Sequence, residues 1–304
     1  MGRGRLATAP IFHLRPTPAS ERKRSTILAI RFRCLYDGTD FYGFQRQEGR
    51  PTIQGVLEST LSRHLGHGAI VGAGRTDRGV HAQGQVIVWK GPCAIPLDKV
   101  AWVLNQKLPE SIRLRDPRVV ADDWDPIRSP NWKRYRYRIW REPAVCLPWV
   151  RYTTPVPRPL DWDVLCQDAS RFLGQHDFRA FRGEGSTAKT TVRTVSVSRW
   201  LQEAGGRIWC YEVEADGFLY HMVRMMVAAM LQDAMESGCR RVEDGLLDPT
   251  GGKVAAPAAA KGLTLESVHY VGEAENGETP GVSGDHGGSR PQSRCGTALT
   301  RRSP

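Results

Sequence analysis

Gly74-Arg75-Thr76-Asp77-Arg78-Gly79-Val80-His81-Ala82-Gln83-Gly84-Gln85-Val86 places five polar or charged side chains (Arg75, Thr76, Asp77, Arg78, His81) in a short span among glycines. A β-branched run, Val86-Ile87-Val88, follows at once. The pattern describes a tight polar loop projected from the edge of a sheet, with one carboxylate between two guanidinium groups. Neighbouring positive charge favours the ionised form of a carboxylate. An ionised Asp on a loop carried by rigid strands is a candidate nucleophile or base. Taken alone, an Asp in this setting is most often a turn or cap residue, so the rest of the chain has to decide. A nucleotide-binding reading of Gly72-Ala73-Gly74 is weak, because Asp77 stands at the third glycine position and would repel a pyrophosphate.

On either side of the loop the periodicity changes in an ordered way. Residues 27–37 alternate apolar side chains (Leu28, Ile30, Phe32, Cys34, Tyr36) with Arg31 and Arg33, which predicts a half-buried strand. Thr52 caps a helical pattern of Ile53, Val56, Leu57, Leu61 and Leu65. Strands are predicted over 69–73 and 85–90, a helix over 96–104 with Pro96 near its start, and a strand over 112–120. The second part repeats this rhythm. A strand is predicted over 133–140, a helix over 162–173, and a hairpin of 192–201 with 207–218 turning at Ala204-Gly205-Gly206. A long helix over 219–236 and a closing strand over 265–270 complete it. The expected organisation is a basic, disordered arm (1–26), two α/β halves (27–125 and 126–270) side by side through one sheet, and a disordered Gly/Ser/Pro-rich tail (271–304) poor in large apolar residues.

Composition narrows the class of partner. The 304 residues carry a net charge of +11 and a pI of about 9.6, which points to a polyanion. The arm holds Arg3, Arg5, Arg15, Arg22, Lys23 and Arg24 against Glu21, while acids and arginines balance in the tail, so the middle keeps a basic excess of its own. An organelle transit peptide is the sharper reading of the arm, but Pro10, Pro16 and Pro18 interrupt the amphipathic helix it would need. Seven scattered cysteines with no C-x-x-C argue against a disulfide framework or zinc cluster. His64 and His67 lack companion carboxylates or thiols, so no metal is expected. No apolar run reaches membrane-spanning length, and no secretory h-region follows Met1, so the expected location is cytoplasmic.

Six ordered segments carry a resemblance. The opening loop, Tyr36-Asp37-Gly38-Thr39-Asp40-Phe41-Tyr42-Gly43-Phe44-Gln45-Arg46-Gln47, Lys133-Arg134-Tyr135-Arg136-Tyr137, His176-Asp177-Phe178 with Arg193-Thr194-Val195, Phe218-Leu219-Tyr220-His221-Met222-Val223-Arg224, and Ala256-Pro257 with Gly262-Leu263 and Val268-His269-Tyr270 follow one another along the chain. Together they resemble the TruA family of tRNA pseudouridine synthases, from about residue 27 to 270.

The resemblance implies an α+β pseudouridine synthase fold: two related α/β halves sharing a mainly antiparallel central sheet, with the active-site cleft between them. It implies isomerisation of uridine to pseudouridine at tRNA positions 38–40 in the anticodon stem-loop, by a homodimer with no cofactor, no nucleotide and no membrane attachment. By the same resemblance Asp77 is the nucleophile, Tyr135 stacks on the flipped base, and Arg224 pairs with Asp77. An Arg within the apolar helix of Met222, Val223, Met226, Val227 and Met230 needs a partner in any case, since an unpaired buried charge is costly. Arg75, Arg78, His81, Gln45, Arg46 and Arg134 are candidate RNA contacts, with Arg31, Arg33, Arg136 and Arg138 as further members of a basic track. Tyr137 lies on the same side of its strand as Tyr135.

Three positions depart from the family pattern: Arg78 stands for a small residue, Trp124-Asp125-Pro126-Ile127-Arg128 lacks the aromatic-x-Ala-Arg form with its Arg displaced by one, and Ala228-Ala229 replaces a glycine. The rival readings are the same chemistry on a different RNA, and a non-catalytic RNA-binding or chaperone protein on this scaffold.

Overall fold

Alternation makes Leu28–Tyr36 a strand (β1): Ile30, Phe32 and Cys34 are buried while Arg31 and Arg33 are only half-buried between them. The computed structural model describes residues 28–270 apart from 129, 187 and 237, so the arm and the tail lie outside the described residues. The first part of the chain continues with α1 (Ile53–Leu65), β2 (Ala69–Gly72), β3 (His81–Gly91), α2 (Leu97–Asn105) and β4 (Ile112–Val120). The second comprises β5 (Pro130–Trp140), β6 (Thr154–Pro155), α3 (Trp162–Arg171), β7 (Gly174–Asp177), β8 (Val192–Glu203), β9 (Ile208–Ala215), α4 (Met222–Met235), α5 (Arg241–Leu247) and β10 (Leu263–Tyr270).

All ten strands join one sheet, in the order β4-β1-β3-β10-β5-β9-β8-β7, with β2 added on β3 and β6 on β5. Pairing is antiparallel except at β10–β3 and β5–β6. The last strand therefore closes the middle of the sheet. It runs parallel to β3 through Thr264↔His81 and Leu265↔Ala82, and antiparallel to β5 through Leu265↔Tyr135. Gly84 permits this approach, because a Cβ there would lie 2.2 Å from the Glu266 carbonyl oxygen. One hydrophobic core runs across the seam, from Phe32, Leu57 and Trp89 to Tyr137, Phe172 and Met226.

The helices follow from their sequences. Thr52 Oγ1 accepts from the Gly55 N–H, and Ile53, Leu57, Leu61 and Leu65 form the buried face of α1. Asp161 caps α3 through the Asp163 and Val164 amides. The structure differs from the periodicity in several places. Strand β3 begins at His81 rather than at 85, which confines the loop to 73–80. Helix α4 begins at Met222 rather than at 219, because His221 takes a left-handed φ of 62° that breaks the turn before it. The short elements β6, β7 and α5 carry no legible periodicity. Helix α5 starts where the Asp233 carboxylate of α4 accepts from the Arg241 and Val242 amides, a cap supplied by another helix.

Candidate active site

The loop at 73–80 is pinned from three sides. Lys133 Nζ donates to the Ala73 carbonyl at 2.8 Å and Gln85 Nε2 to the Gly74 carbonyl at 2.8 Å. Burial lowers the Lys133 pKa below the ordinary lysine value. Gln85, itself fully buried, also accepts from the Val86 amide. On the third side the Thr76 hydroxyl meets that of Tyr36 at 2.8 Å, and the Thr76 carbonyl accepts from the Phe44 amide. Gly43 makes that contact possible: its φ is +87°, and a Cβ would stand 2.7 Å from the Thr76 oxygen.

So held, Asp77 directs its carboxylate at the first turn of α4. Arg224 Nη1 donates to Asp77 Oδ2 at 2.7 Å, and His221 Nε2 lies 3.3 Å from the same oxygen. Arg224 is itself braced, with Nε donating to the Ala258 carbonyl at 2.7 Å and its own carbonyl accepting from the Ala258 amide. The side chains of Asp77 and Arg224 are 22% and 13% exposed, so the pair is shielded yet open on one side. A charge-assisted bond in that setting, beside a helix N-terminus, fixes the orientation of the carboxylate. The His221 pKa is lowered by burial and by the Arg224 charge, against the pull of Asp77. The Tyr220 and His221 rings stack with centroids 3.8 Å apart.

Tyr135 and Tyr137 share one face of β5 but not one environment. Tyr137 is fully buried, with its hydroxyl bonded to Thr154 Oγ1 and the Ala259 carbonyl. Tyr135 packs edge-on against Phe218, with centroids 5.0 Å apart, near enough to Asp77 that burial and the carboxylate charge together raise its phenol pKa. The structure therefore brings Asp77, Arg224 and Tyr135 together at the seam of β3, β10 and β5.

The remaining candidates separate. Arg75, Arg78 and Gln45 are exposed, and the exposed Arg46 guanidinium lies 3.4 Å from Glu58. His81 is turned inward, 2% exposed. Its Nδ1 accepts from the Gly38 amide and its Nε2 faces the Arg151 carbonyl at 3.0 Å, while burial lowers its pKa. Neutral His81 thus ties the loop to the segment around Arg151. Arg134 is engaged within the sheet. Both its Nε and Nη2 are held by Glu214, just as Arg136 is held by Glu212 and Arg138 by Glu203 and Glu266. These cross-strand pairs arrange the arginines of β5 as a ladder of ion pairs. Among the described residues, no group of three or more His, Cys, Asp or Glu converges as metal ligands would, His64 and His67 included.

His221 and Lys133 are the site residues that sequence reasoning did not single out. His221 lies in a quoted motif, but only the left-handed turn aims its ring at Asp77.

Comparison with known proteins agrees in extent with these elements. The sequence model of a family described as tRNA pseudouridine synthase matches residues 34–124 and 169–271. The chain is 37% identical over 244 residues to tRNA pseudouridine synthase A of Brevibacillus brevis, spanning 79% of this chain and 99% of that protein. It is 37% identical over 262 residues to tRNA pseudouridine synthase A of Myxococcus xanthus, spanning 82% and 94%. It is 36% identical over 241 residues to the Acetivibrio thermocellus protein of the same name, spanning 77% and 96%. The chain belongs to the tRNA pseudouridine synthase family, whose members are isomerases that turn uridine into pseudouridine.

Proposed function

We propose that this protein isomerises uridine to pseudouridine at positions 38–40 of the tRNA anticodon stem-loop, with Asp77 as nucleophile. The observation that carries the reading is the Asp77 carboxylate, bound at 2.7 Å by Arg224 on a loop pinned by Lys133 and Gln85. The reaction breaks the bond from ribose C1′ to uracil N1 and forms one from C1′ to C5. The C5 proton is lost and N1 gains one, so no electrons or groups are imported. An ionised carboxylate serves as the temporary partner of the sugar or the base. Arg224 keeps that carboxylate aimed, which pre-organises it before the reaction.

A uridine in a stem has to leave its stack to reach Asp77. In this reading Tyr135 stacks on the extruded base, and Arg75, Gln45 and Arg46 meet the surrounding backbone. Recognition of those positions rests on RNA shape held by a homodimer in the cytoplasm.

The test is pseudouridine mapping of tRNA from a deletion strain complemented with wild type or Asp77→Asn. Wild type is expected to restore positions 38–40 and the variant to restore none while still binding tRNA. Restoration by Asp77→Asn would remove the nucleophile assignment. Modification of another RNA alone would replace the substrate.

A further inference from the structure

Beside the Asp77–Arg224 pair lies an arrangement that catalysis does not use. The Arg78 guanidinium stands over the Tyr42 ring at 4.2 Å from its centroid, and that of Arg50 over the same ring at 4.7 Å. Among the described residues, no other ring carries two guanidinium groups. The two cations are thus no more than about 9 Å apart, within a Debye length at ordinary ionic strength. Neither makes a hydrogen bond or ion pair with a described residue, whereas the arginines of β5 are each held by a glutamate. The nearest acid along the chain from Arg50, Glu48, forms no ion pair with it, and Asp77 is engaged by Arg224.

Both arginines stand on fixed backbone. Arg50 ends the tight turn that bridges to Gln47, with Gly49 at φ +67°. Arg78 lies inside the turn closed by the Val80 amide on the Asp77 carbonyl. Gly43 brings the two segments into contact, since a Cβ there would lie 3.3 Å from the Arg78 amide nitrogen. Two like charges held together without a counter-ion repel each other, and a shared anion reverses that cost. Guanidinium planes over a ring also keep their N–H edges free for bidentate bonding to phosphate.

We propose that Arg78 and Arg50, positioned by Tyr42, form a clamp for one phosphodiester of the RNA strand that delivers the target uridine to Asp77. The proposal rests on the pseudouridine synthase reading and gives a role to Arg78, which the family pattern does not explain.

The test measures tRNA affinity across a salt series, and single-turnover pseudouridine formation at saturating tRNA, for wild type, Arg78→Ala, Arg50→Ala, Tyr42→Phe and Tyr42→Leu. Either arginine variant is expected to raise Kd about tenfold and to flatten the salt dependence by about one phosphate contact. The saturated rate should stay within about twofold of wild type. Tyr42→Phe, which keeps the ring, should behave as wild type, and Tyr42→Leu should lose affinity like Arg78→Ala with unchanged thermal unfolding. Unchanged Kd and salt slope in both arginine variants would overturn the clamp. So would a fall in saturated rate at unchanged Kd, which would mean that Arg78 acts on Asp77 instead. A wild type that binds tRNA through these arginines yet forms no pseudouridine would sink the catalytic reading and leave the clamp standing.

Discussion

Arg224 joins two tasks in one side chain: Nε ties α4 to the segment preceding β10 through the Ala258 carbonyl, and Nη1 holds Asp77. Removing one member of a shielded pair strands the other, at about 3–5 kcal/mol when burial is complete and less at the partial exposure seen here. Arg224→Met is expected to abolish pseudouridine formation while tRNA binding is mostly kept and unfolding shifts by only ~1–3 kcal/mol. A large loss of tRNA affinity in a filter-binding titration would instead make Arg224 an RNA contact. The contrast between Tyr135 and Tyr137 belongs to the same scale. They are two residues apart on one strand face, yet only Tyr137 has its hydroxyl committed to Thr154 and Ala259.

Among the elements, the junction of α3, α4 and α5 holds an unusual carboxyl pair. Asp168 and Asp233 are both buried, and Asp233 is committed to the amides that start α5. Asp168 has one oxygen without a partner, and its other lies 3.6 Å from Arg171 Nε. Burial and the neighbouring Asp233 push its pKa up to about 7. Its folded-state pKa is thus above its unfolded value near 3.8. The folded protein holds a proton that the unfolded chain releases, so this residue's contribution weakens as pH rises from about 4 to 7 and is level above. Asp168→Asn should therefore stabilise the protein at pH 8 relative to pH 5, by roughly 2–4 kcal/mol in the difference between urea titrations. An equal effect at both pH values would show that Asp168 is not the group that titrates.

Across the whole molecule, β10 is the strand that makes one sheet out of two sets of strands, being bonded to β3 on one side and β5 on the other. Leu263, Leu265, Val268 and Tyr270 are buried on it. Burial of four such side chains contributes roughly 6–12 kcal/mol, comparable with the whole stability of a domain. A chain ending at Gly262 is expected to show no cooperative thermal transition by circular dichroism. A cooperative transition in that variant would mean that the two sets of strands are stable without their seam. The same strand sets Tyr135 beside Leu265 and one strand away from the loop after β2, so the site exists only once the last residues of the fold are in place.

The amino-acid sequence by itself determined most of the elements. Alternation of apolar with basic residues marks β1, and the capped stripe after Thr52 marks α1, because both periods arise from local backbone geometry. Motif order likewise singled out Asp77, Arg224 and Tyr135. What only the tertiary structure decided is which polar groups face one another. His221 reaches Asp77 through a left-handed turn, and His81 turns inward to the Gly38 amide. Arg134 is neutralised by Glu214 from a strand 80 residues further along the chain. None of these leaves a period in the sequence, because each depends on strand register and close approach between distant segments. A charge reads the same in sequence whether or not its counter-ion lies opposite; the fold alone supplies Arg134 with one and leaves Arg78 stacked on Tyr42.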